Sequence, residues 1–268
     1  MRLFEEINGD AKLCFYKRLE YLIYNCITNV TCTRITILKT VAAPLISNDD
    51  QILSSPSRFI TENIIHEIIR NQFAGQKRTV LEVGCGSGRL TSVLKEVGFE
   101  GAYTGVDFKD RFNAASTKEI DVNFVECDIH SFEVTKKWDT IISISALEHI
   151  SNPEKLTLKL DSFLEEGGIQ VHAVPSGWGL PIYLWHGYRQ YPLGRILGLY
   201  DKPLVYRIGG PLCLLLHFIV ITIGEMVFRL EGRARFPDLY SKLLKFCVKI
   251  DRYLPLMPTA FVIVSKKS

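Results

Sequence analysis

Val80-Leu81-Glu82-Val83-Gly84-Cys85-Gly86-Ser87-Gly88-Arg89-Leu90 is the stretch that decides how this chain folds. A short apolar run ends in a carboxylate, passes through three glycines at alternate positions and enters a helical pattern. That order reads as strand, tight turn and helix N-terminus. Glycine has no Cβ and tolerates positive φ, so such a turn lets a ligand approach the backbone closely. The helix that follows offers free backbone N–H groups and the positive end of its dipole to a negative group. A nucleotide-like cofactor fits that arrangement.

The spacing discriminates among such cofactors. The dinucleotide fingerprint requires G-x-G-x-x-G. Here the third glycine comes one residue early, at Gly88, and Arg89 stands where it belongs. A P-loop ends in Gly-Lys-Ser/Thr, whereas this run ends Gly-Arg-Leu. Glu82, two residues before the first glycine, would repel a pyrophosphate and suits an amine. The pattern Glu-x-Gly-x-Gly-x-Gly closely resembles the first motif of the class I S-adenosylmethionine-dependent methyltransferases. The resemblance implies that Glu82 and the loop Gly84, Cys85, Gly86 and Gly88 hold the methionine part of S-adenosyl-L-methionine. The competing reading is a glycine turn with a structural role alone.

Two further strands end in acids. Ala102-Tyr103-Thr104-Gly105-Val106-Asp107 reads as a buried strand whose acid lies a little under ~20 residues past the glycine loop, where a ribose-binding acid belongs in folds of this type. A carboxylate accepts both vicinal ribose hydroxyls, which suits Asp107, and Phe108 follows it into the same cofactor set. Val122-Asn123-Phe124-Val125-Glu126-Cys127-Asp128-Ile129 is a third strand of this kind. In the family its acid receives the adenine amino group and the next backbone N–H reaches the ring, which implies those roles for Asp128 and Ile129. Ser145, after the fourth strand, completes the set. Acids at the C-terminal ends of three successive parallel strands converge on one crevice.

The chain has 268 residues, enough for one large domain with appendages. Hydrophobic residues make up 47% and charged residues 23%, which suits a globular protein with a full core. Seven cysteines form no C-x-x-C pair, so they read as reduced thiols of a cytosolic protein, and neither cysteine nor histidine shows metal-ligand spacing. Met1-Arg2-Leu3-Phe4-Glu5-Glu6 meets acids at once, so no secretory signal is expected. A net charge of +3 implies no general affinity for nucleic acid, but the charge is unevenly spread. Residues 176–268 carry 13 Lys and Arg against 5 Asp and Glu; residues 1–175 carry 19 against 24. The two parts face different surroundings.

Alternating strands and helices predict an α/β fold with a doubly wound, mostly parallel Rossmann-like sheet. Strands are expected near 79–83, 102–107, 122–127, 138–144 and 168–175, and helices near 89–97, 110–118 and 153–164. Residues 1–55 form an N-terminal helical segment, in which Leu13, Tyr16, Leu19, Ile23 and Cys26 recur at helical spacing. Such a segment covers the substrate side in the family, or simply packs on the sheet. Residues 56–175 form the cofactor-binding core, opening on a helix that starts at Pro56 and ends at 74–76. Residues 176–258 are a helical, apolar and basic insertion, and 259–268 the closing strand, antiparallel in the family. The family's strand just before the last has no evident counterpart here.

The fourth strand runs into Ser143-Ile144-Ser145-Ala146-Leu147-Glu148-His149-Ile150, which resembles the Leu-Glu-His element of many small-molecule methyltransferases. Methyl transfer from a sulfonium is an in-line displacement governed mostly by positioning. A hydroxyl acceptor must also lose its proton, and a histidine near neutral pKa is suited to take it. His149 is the candidate general base; alternatively Glu148-His149 braces the loop. His172 lies within the fifth strand and reads as a satisfied core histidine. Trp178, Tyr183, Trp185 and Tyr188, with His186 among them, follow that strand as an acceptor wall or as membrane-interface aromatics.

Within the insertion, 208–224 is uncharged over 17 residues, short of the ~20 a spanning helix needs, and is read as buried or interfacial. After it, Lys242, Lys245, Lys249 and Arg252 form one stripe beside the apolar face Leu239, Leu243, Phe246, Cys247 and Ile250. A basic amphipathic helix of this kind lies on anionic lipid, or else caps the sheet with solvated lysines. The expected function is in-line methyl transfer from S-adenosyl-L-methionine, at oxygen, to a small or lipid-linked acceptor of glycan or glycolipid type. The expected location is cytoplasmic, with peripheral membrane contact through residues 208–254. The rivals are a C- or N-methyltransferase on a quinone-like or other small molecule, and a non-catalytic scaffold.

Overall fold

The computed structural model describes residues 11–31, 41–42, 52–73, 77–134, 136–183, 189–254 and 256–267. The elements before the insertion are α1 (Phe15–Thr31), β1 (Val41–Ala42), α2 (Pro56–Phe73), β2 (Arg78–Val83), α3 (Leu90–Glu96), β3 (Gly101–Asp107), β4 (Ile120–Glu126), β5 (Trp138–Ile144), α4 (Pro153–Phe163) and β6 (Leu164–Pro175). Then come α5 (Leu193–Leu199), β7 (Leu204–Ile208), α6 (Pro211–Leu216), a π-helical continuation His217–Val227, α7 (Gly232–Arg235), α8 (Pro237–Asp251) and β8 (Ala260–Lys266).

One eight-stranded sheet has the order β1-β7-β8-β6-β5-β2-β3-β4. β2 pairs in parallel with both β3 and β5, while β8 runs antiparallel between β6 and β7. The chain builds outward from β2 to β4 and then returns to β5 on the other side. The reversal between β2 and β5 is the topological switch point, and its C-terminal edge is where such sheets hold ligands. The strands there are buried on both faces. One core layer joins α2, α3, α6 and α8 through residues such as Ile64, Leu94, Cys213 and Leu244. The other joins α4 and α5 through Leu156, Leu160 and Ile196.

The structure departs from the sequence reading in three places. Residues 110–118 are not helical. Ser116 Oγ accepts Val122 N–H at 2.9 Å, and Thr117 Oγ1 accepts Ile120 N–H at 3.1 Å. Short hydroxyl side chains that bond the backbone locally compete with a helix ladder. Second, the strand before the last is present: Leu204–Ile208 joins the sheet as β7, out of the middle of the insertion. Third, α1 forms but turns Tyr21, Tyr24, Asn25 and Thr28 inward, leaving Tyr16, Leu19 and Ile23 exposed. Its inner face mixes two tyrosines, packed with Leu13, with polar residues, and Asn29 Nδ2 donates to Gly177 O at 3.1 Å. The end of α2 expected at 74–76 lies outside the described residues.

The apolar run 208–224 is divided among the end of β7, α6 and the π-helical stretch. Among the described residues no helix is long and apolar enough to cross a membrane. The buried carboxylate of Asp251, at the end of α8, accepts Leu212 N–H at 3.1 Å and Cys213 N–H at 2.7 Å. Those are free donors of the first turn of α6, so Asp251 ties α6 to α8 by capping it.

Candidate functional site

The glycine turn leaves β2 at the switch point. Gly84 N–H and Cys85 N–H both donate to Val106 O of β3, at 2.8 and 3.2 Å. Gly84 takes φ +72°, and a Cβ there would stand 2.4 Å from Ala146 Cβ, so the turn and the end of β5 can meet only through a glycine. Gly86 takes φ +54°, and a Cβ there would meet no atom of the described residues beyond its chain neighbours within 4 Å. Its backbone therefore lies bare toward open space. Cys85 is buried and its thiol is pushed up to about 12, chiefly by that burial. Gly88 packs against the ring of Phe124.

Asp107, at the end of β3, is 4% exposed. Its Oδ2 accepts Gly86 N–H at 2.8 Å, which ties the turn to the neighbouring strand. Arg111 Nη2 reaches both carboxylate oxygens, at 3.2 and 3.3 Å. Arg111 is a site residue the sequence reading passed over; its spacing of four from Asp107 was the available signal. Asp128 lies just past β4, exposed, with Oδ1 accepting His130 N–H at 2.9 Å, and Ile129 beside it is buried.

These residues meet around a cavity of ≈ 460 Å³, lined by Asp107, Phe108, Asp128, Ile129, Ser145 and His149 among others. A second cavity of ≈ 420 Å³ shares Gly84 and Ser145 with the first. It is lined by Glu82, Gly86, Glu148 and Tyr183, and by Ser57 and Thr61 of α2. Ser145 adopts φ 52° at the junction, a left-handed conformation uncommon for a non-glycine residue. Strained backbone of this kind is retained where surrounding structure fixes it.

The second cavity holds two buried carboxyls. Glu82 accepts Tyr103 O–H at 2.5 Å. Burial pushes its pKa up to about 8, the Tyr103 hydrogen bond pulls it back in part, and Asp107 adds to the rise. Glu148 is also pushed up to about 8 by burial, and its Oε2 has no hydrogen-bond partner among the described residues. Tyr183, pushed up to about 12 by burial, shares a 2.6 Å hydrogen bond between its hydroxyl and Ser57 Oγ. Ser57, Thr61 and Glu148 were not assigned to the site from sequence, because the α2 residues lie far from the motifs and Glu148 was read only as a brace.

His172 is a core histidine. Its Nδ1 pairs with Ser143 Oγ at 2.7 Å and its Nε2 with Gln170 Oε1 at 2.9 Å, with Tyr200 stacked on the ring. Burial lowers its pKa to about 3. Trp178 is exposed in the 3-10 turn after β6, and Trp185, His186 and Tyr188 lie outside the described residues.

Residues 75–178 match the family described as Methyltransferase domain, whose cofactor is S-adenosyl-L-methionine. The chain is 25% identical over 160 residues to protein 235L of Invertebrate iridescent virus 6, provisionally assigned as a methyltransferase, covering 59% of this chain and 51% of that one. It is 29% identical over 115 residues to a ubiquinone biosynthesis O-methyltransferase of Rickettsia felis, covering 41% and 46%. The match thus spans about half the length of these curated relatives. Among solved structures, a Galdieria sulphuraria protein, provisionally assigned as a sarcosine dimethylglycine methyltransferase, superposes with a TM-score of 0.50. The match is at 14% identity and covers 79% of this chain and 86% of that one. The fold is the Rossmann-like α/β fold of methyltransferases.

Proposed function

We propose that this protein transfers a methyl group from S-adenosyl-L-methionine to an oxygen atom of a small or lipid-linked acceptor. One observation carries the reading: the glycine turn is bare at Gly86 and is held by the buried Asp107 carboxylate at the junction of two cavities. The first cavity suits a nucleoside, with Asp107 and Phe108 for the ribose and Asp128 and Ile129 for the adenine. Ser145 borders both cavities. The second cavity suits the amino-acid part, beside Glu82, Gly84, Cys85 and Gly86 with Gly88 closing the turn behind them, and leaves Glu148, Tyr183 and Ser57 for the acceptor. When bound, the cofactor supplies a sulfonium methyl group already activated for transfer.

The protein's own contribution is positioning and proton handling. The turn and Asp107 fix the two halves of the cofactor on either side of Ser145. An acceptor hydroxyl needs a group to take its proton, and His149 and Glu148 flank the junction from opposite cavities. Burial pushes the Glu148 carboxyl up to about 8, so it accepts a proton only through its ionised fraction, which grows as pH rises toward that value, and Glu148 stands on the acceptor side. We therefore assign the proton to Glu148, with His149 holding the nucleoside side of the junction.

The likeness to a ubiquinone biosynthesis O-methyltransferase supports transfer to oxygen. The free thiols of the described cysteines support a cytoplasmic setting, and the segment 208–254 supports contact with a membrane that carries the acceptor. Calorimetric titration with S-adenosyl-L-methionine and, separately, NADH tests the cofactor. Binding of the first alone is expected; folded protein that binds neither overturns the reading. Transfer of labelled methyl to polyprenyl-linked sugars, glycolipids and quinone precursors then tests the acceptor.

A further inference from the structure

We propose that the outer surface formed by the end of the π-helical stretch, the turn after it and the exposed side of α8 is a docking face for an anionic lipid bilayer. Met226, Val227, Phe228 and Leu230 are exposed almost in succession, with Phe228 at 65%. Phe236, Leu239, Leu243 and Phe246 continue the apolar surface along α8. Folding does not require these side chains, because the inner sides of α8 and of α6, which the π-helical stretch continues, already fill the core with Cys213, Tyr240, Leu244 and Val248. Exposed apolar side chains clustered in this way on neighbouring elements mark an interaction site.

Charge selects the occupant. Arg229, Arg235, Lys242, Lys245, Lys249 and Arg252 are all exposed around this surface, against the exposed acids Glu231 and Asp238. On α8 the four basic residues follow one another at helical spacing beside the apolar stripe. Anionic headgroups complement such a rim while the apolar side chains enter the acyl boundary. A second copy of the chain fits less well, since joining two such faces brings two basic rims together.

The face is also rigidly tied to the proposed acceptor cavity. Arg233 Nη2 and Nε grip Glu225 at 2.6 and 2.9 Å, locking α7 to the π-helical stretch. Arg233 Nη1 donates to Leu53 O at 2.7 Å and Tyr240 O–H to Ser54 O at 2.8 Å, holding the segment that leads into α2. α2 supplies Ser57 and Thr61 to the second cavity. His217, at the start of the π-helical stretch, packs edge-on against Tyr183 with ring centroids 5.9 Å apart. The inference rests on the proposed function and deepens it: a bilayer at this face would meet elements that are bonded to the wall of the acceptor cavity.

The test is sedimentation of the full chain with vesicles of phosphatidylcholine alone and of phosphatidylcholine mixed with phosphatidylglycerol, with and without added salt. Binding is expected only to the anionic vesicles, weakened by salt. Lys242→Ala with Lys245→Ala should lower partitioning roughly thirtyfold, from the contribution of two basic residues near a charged surface. Phe228→Ser with Leu230→Ser should lower it about tenfold or more. Folded protein that ignores anionic vesicles, or a stable dimer in solution that masks the face, overturns the proposal. The same preparation is titrated with S-adenosyl-L-methionine. Vesicle binding without cofactor binding sinks the methyl-transfer reading alone, and cofactor binding without vesicle binding sinks the docking face alone.

Discussion

Glu148 and His149 are neighbours in the chain and line different cavities: His149 the one with Asp107 and Ile129, Glu148 the one with Glu82 and Tyr183. The short turn after β5 turns their side chains apart across the junction at Ser145. Their substitutions should therefore separate. Glu148→Gln is expected to lower single-turnover methyl transfer by about a hundredfold or more while cofactor affinity holds. His149→Gln is expected to cost less than about tenfold in rate, with a measurable loss of cofactor affinity. Rapid-quench rates and calorimetry on both variants decide the matter. A full rate in Glu148→Gln would return the proton to His149.

Asp107→Ala removes the acceptor of Gly86 N–H and the partner of Arg111. A charged group that accepts several hydrogen bonds contributes about 1.5–3 kcal/mol per bond. Cofactor affinity should accordingly fall by on the order of tenfold to a hundredfold or beyond, while the sheet stays intact because β3 keeps its pairing on both sides. Titration alongside circular dichroism separates the two effects. Unchanged affinity would remove Asp107 from the site.

The two buried glutamates give stability an unusual pH dependence. Glu82 and Glu148 have native pKa values near 8 against 4.5 for the unexceptional group. Between those values the native state holds protons that the unfolded chain releases, so stability falls as pH rises through that window. His172 acts in the opposite sense: its pKa of about 3 against 6.5 keeps it neutral when the unfolded chain takes up a proton, so stability falls as pH drops below 6.5. From 6.5 to about 8 the glutamates alone act among these three. Urea midpoints should decline across that interval in the parent chain, and the decline should shrink in Glu82→Gln. A flat profile in the parent would mean that both carboxyls ionise normally.

What was readable in the sequence was local. Glu82 to Gly88 and Asp107 could be placed because strand, turn and helix start lie within one short run, and the backbone chemistry of that run is set by its glycines. Residues 110–118 fit a helix only by the alternation of strands and helices, while Ser116 and Thr117 spend their hydroxyls on the backbone near β4. Leu204–Ile208 carries no sign of its partner, since β8 lies some fifty residues later and the pairing exists only once the insertion has folded back. The second cavity was invisible for the same reason. Its walls come from α2, β2, the turn after β5 and the loop after β6, and no spacing in the chain announces that Ser57 will meet Tyr183.

Gly84 and Gly86 should respond differently to the same substitution. In Gly84→Ala the new methyl group stands 2.4 Å from Ala146 Cβ at φ +72°, so the turn or the end of β5 must move. Overpacking together with a left-handed alanine costs about 3 kcal/mol, and cofactor binding should fail because the turn is displaced. In Gly86→Ala the methyl group meets nothing among the described residues within 4 Å beyond its chain neighbours, so only the left-handed conformation is penalised, by roughly 1 kcal/mol. That methyl group enters the space which a bound cofactor needs, since Gly86 lines the second cavity. The expected outcome is near-parent stability in denaturant with cofactor affinity reduced about tenfold or more. If Gly86→Ala instead binds S-adenosyl-L-methionine as the parent does, the bare backbone is a feature of the turn alone and the methionine part lies elsewhere.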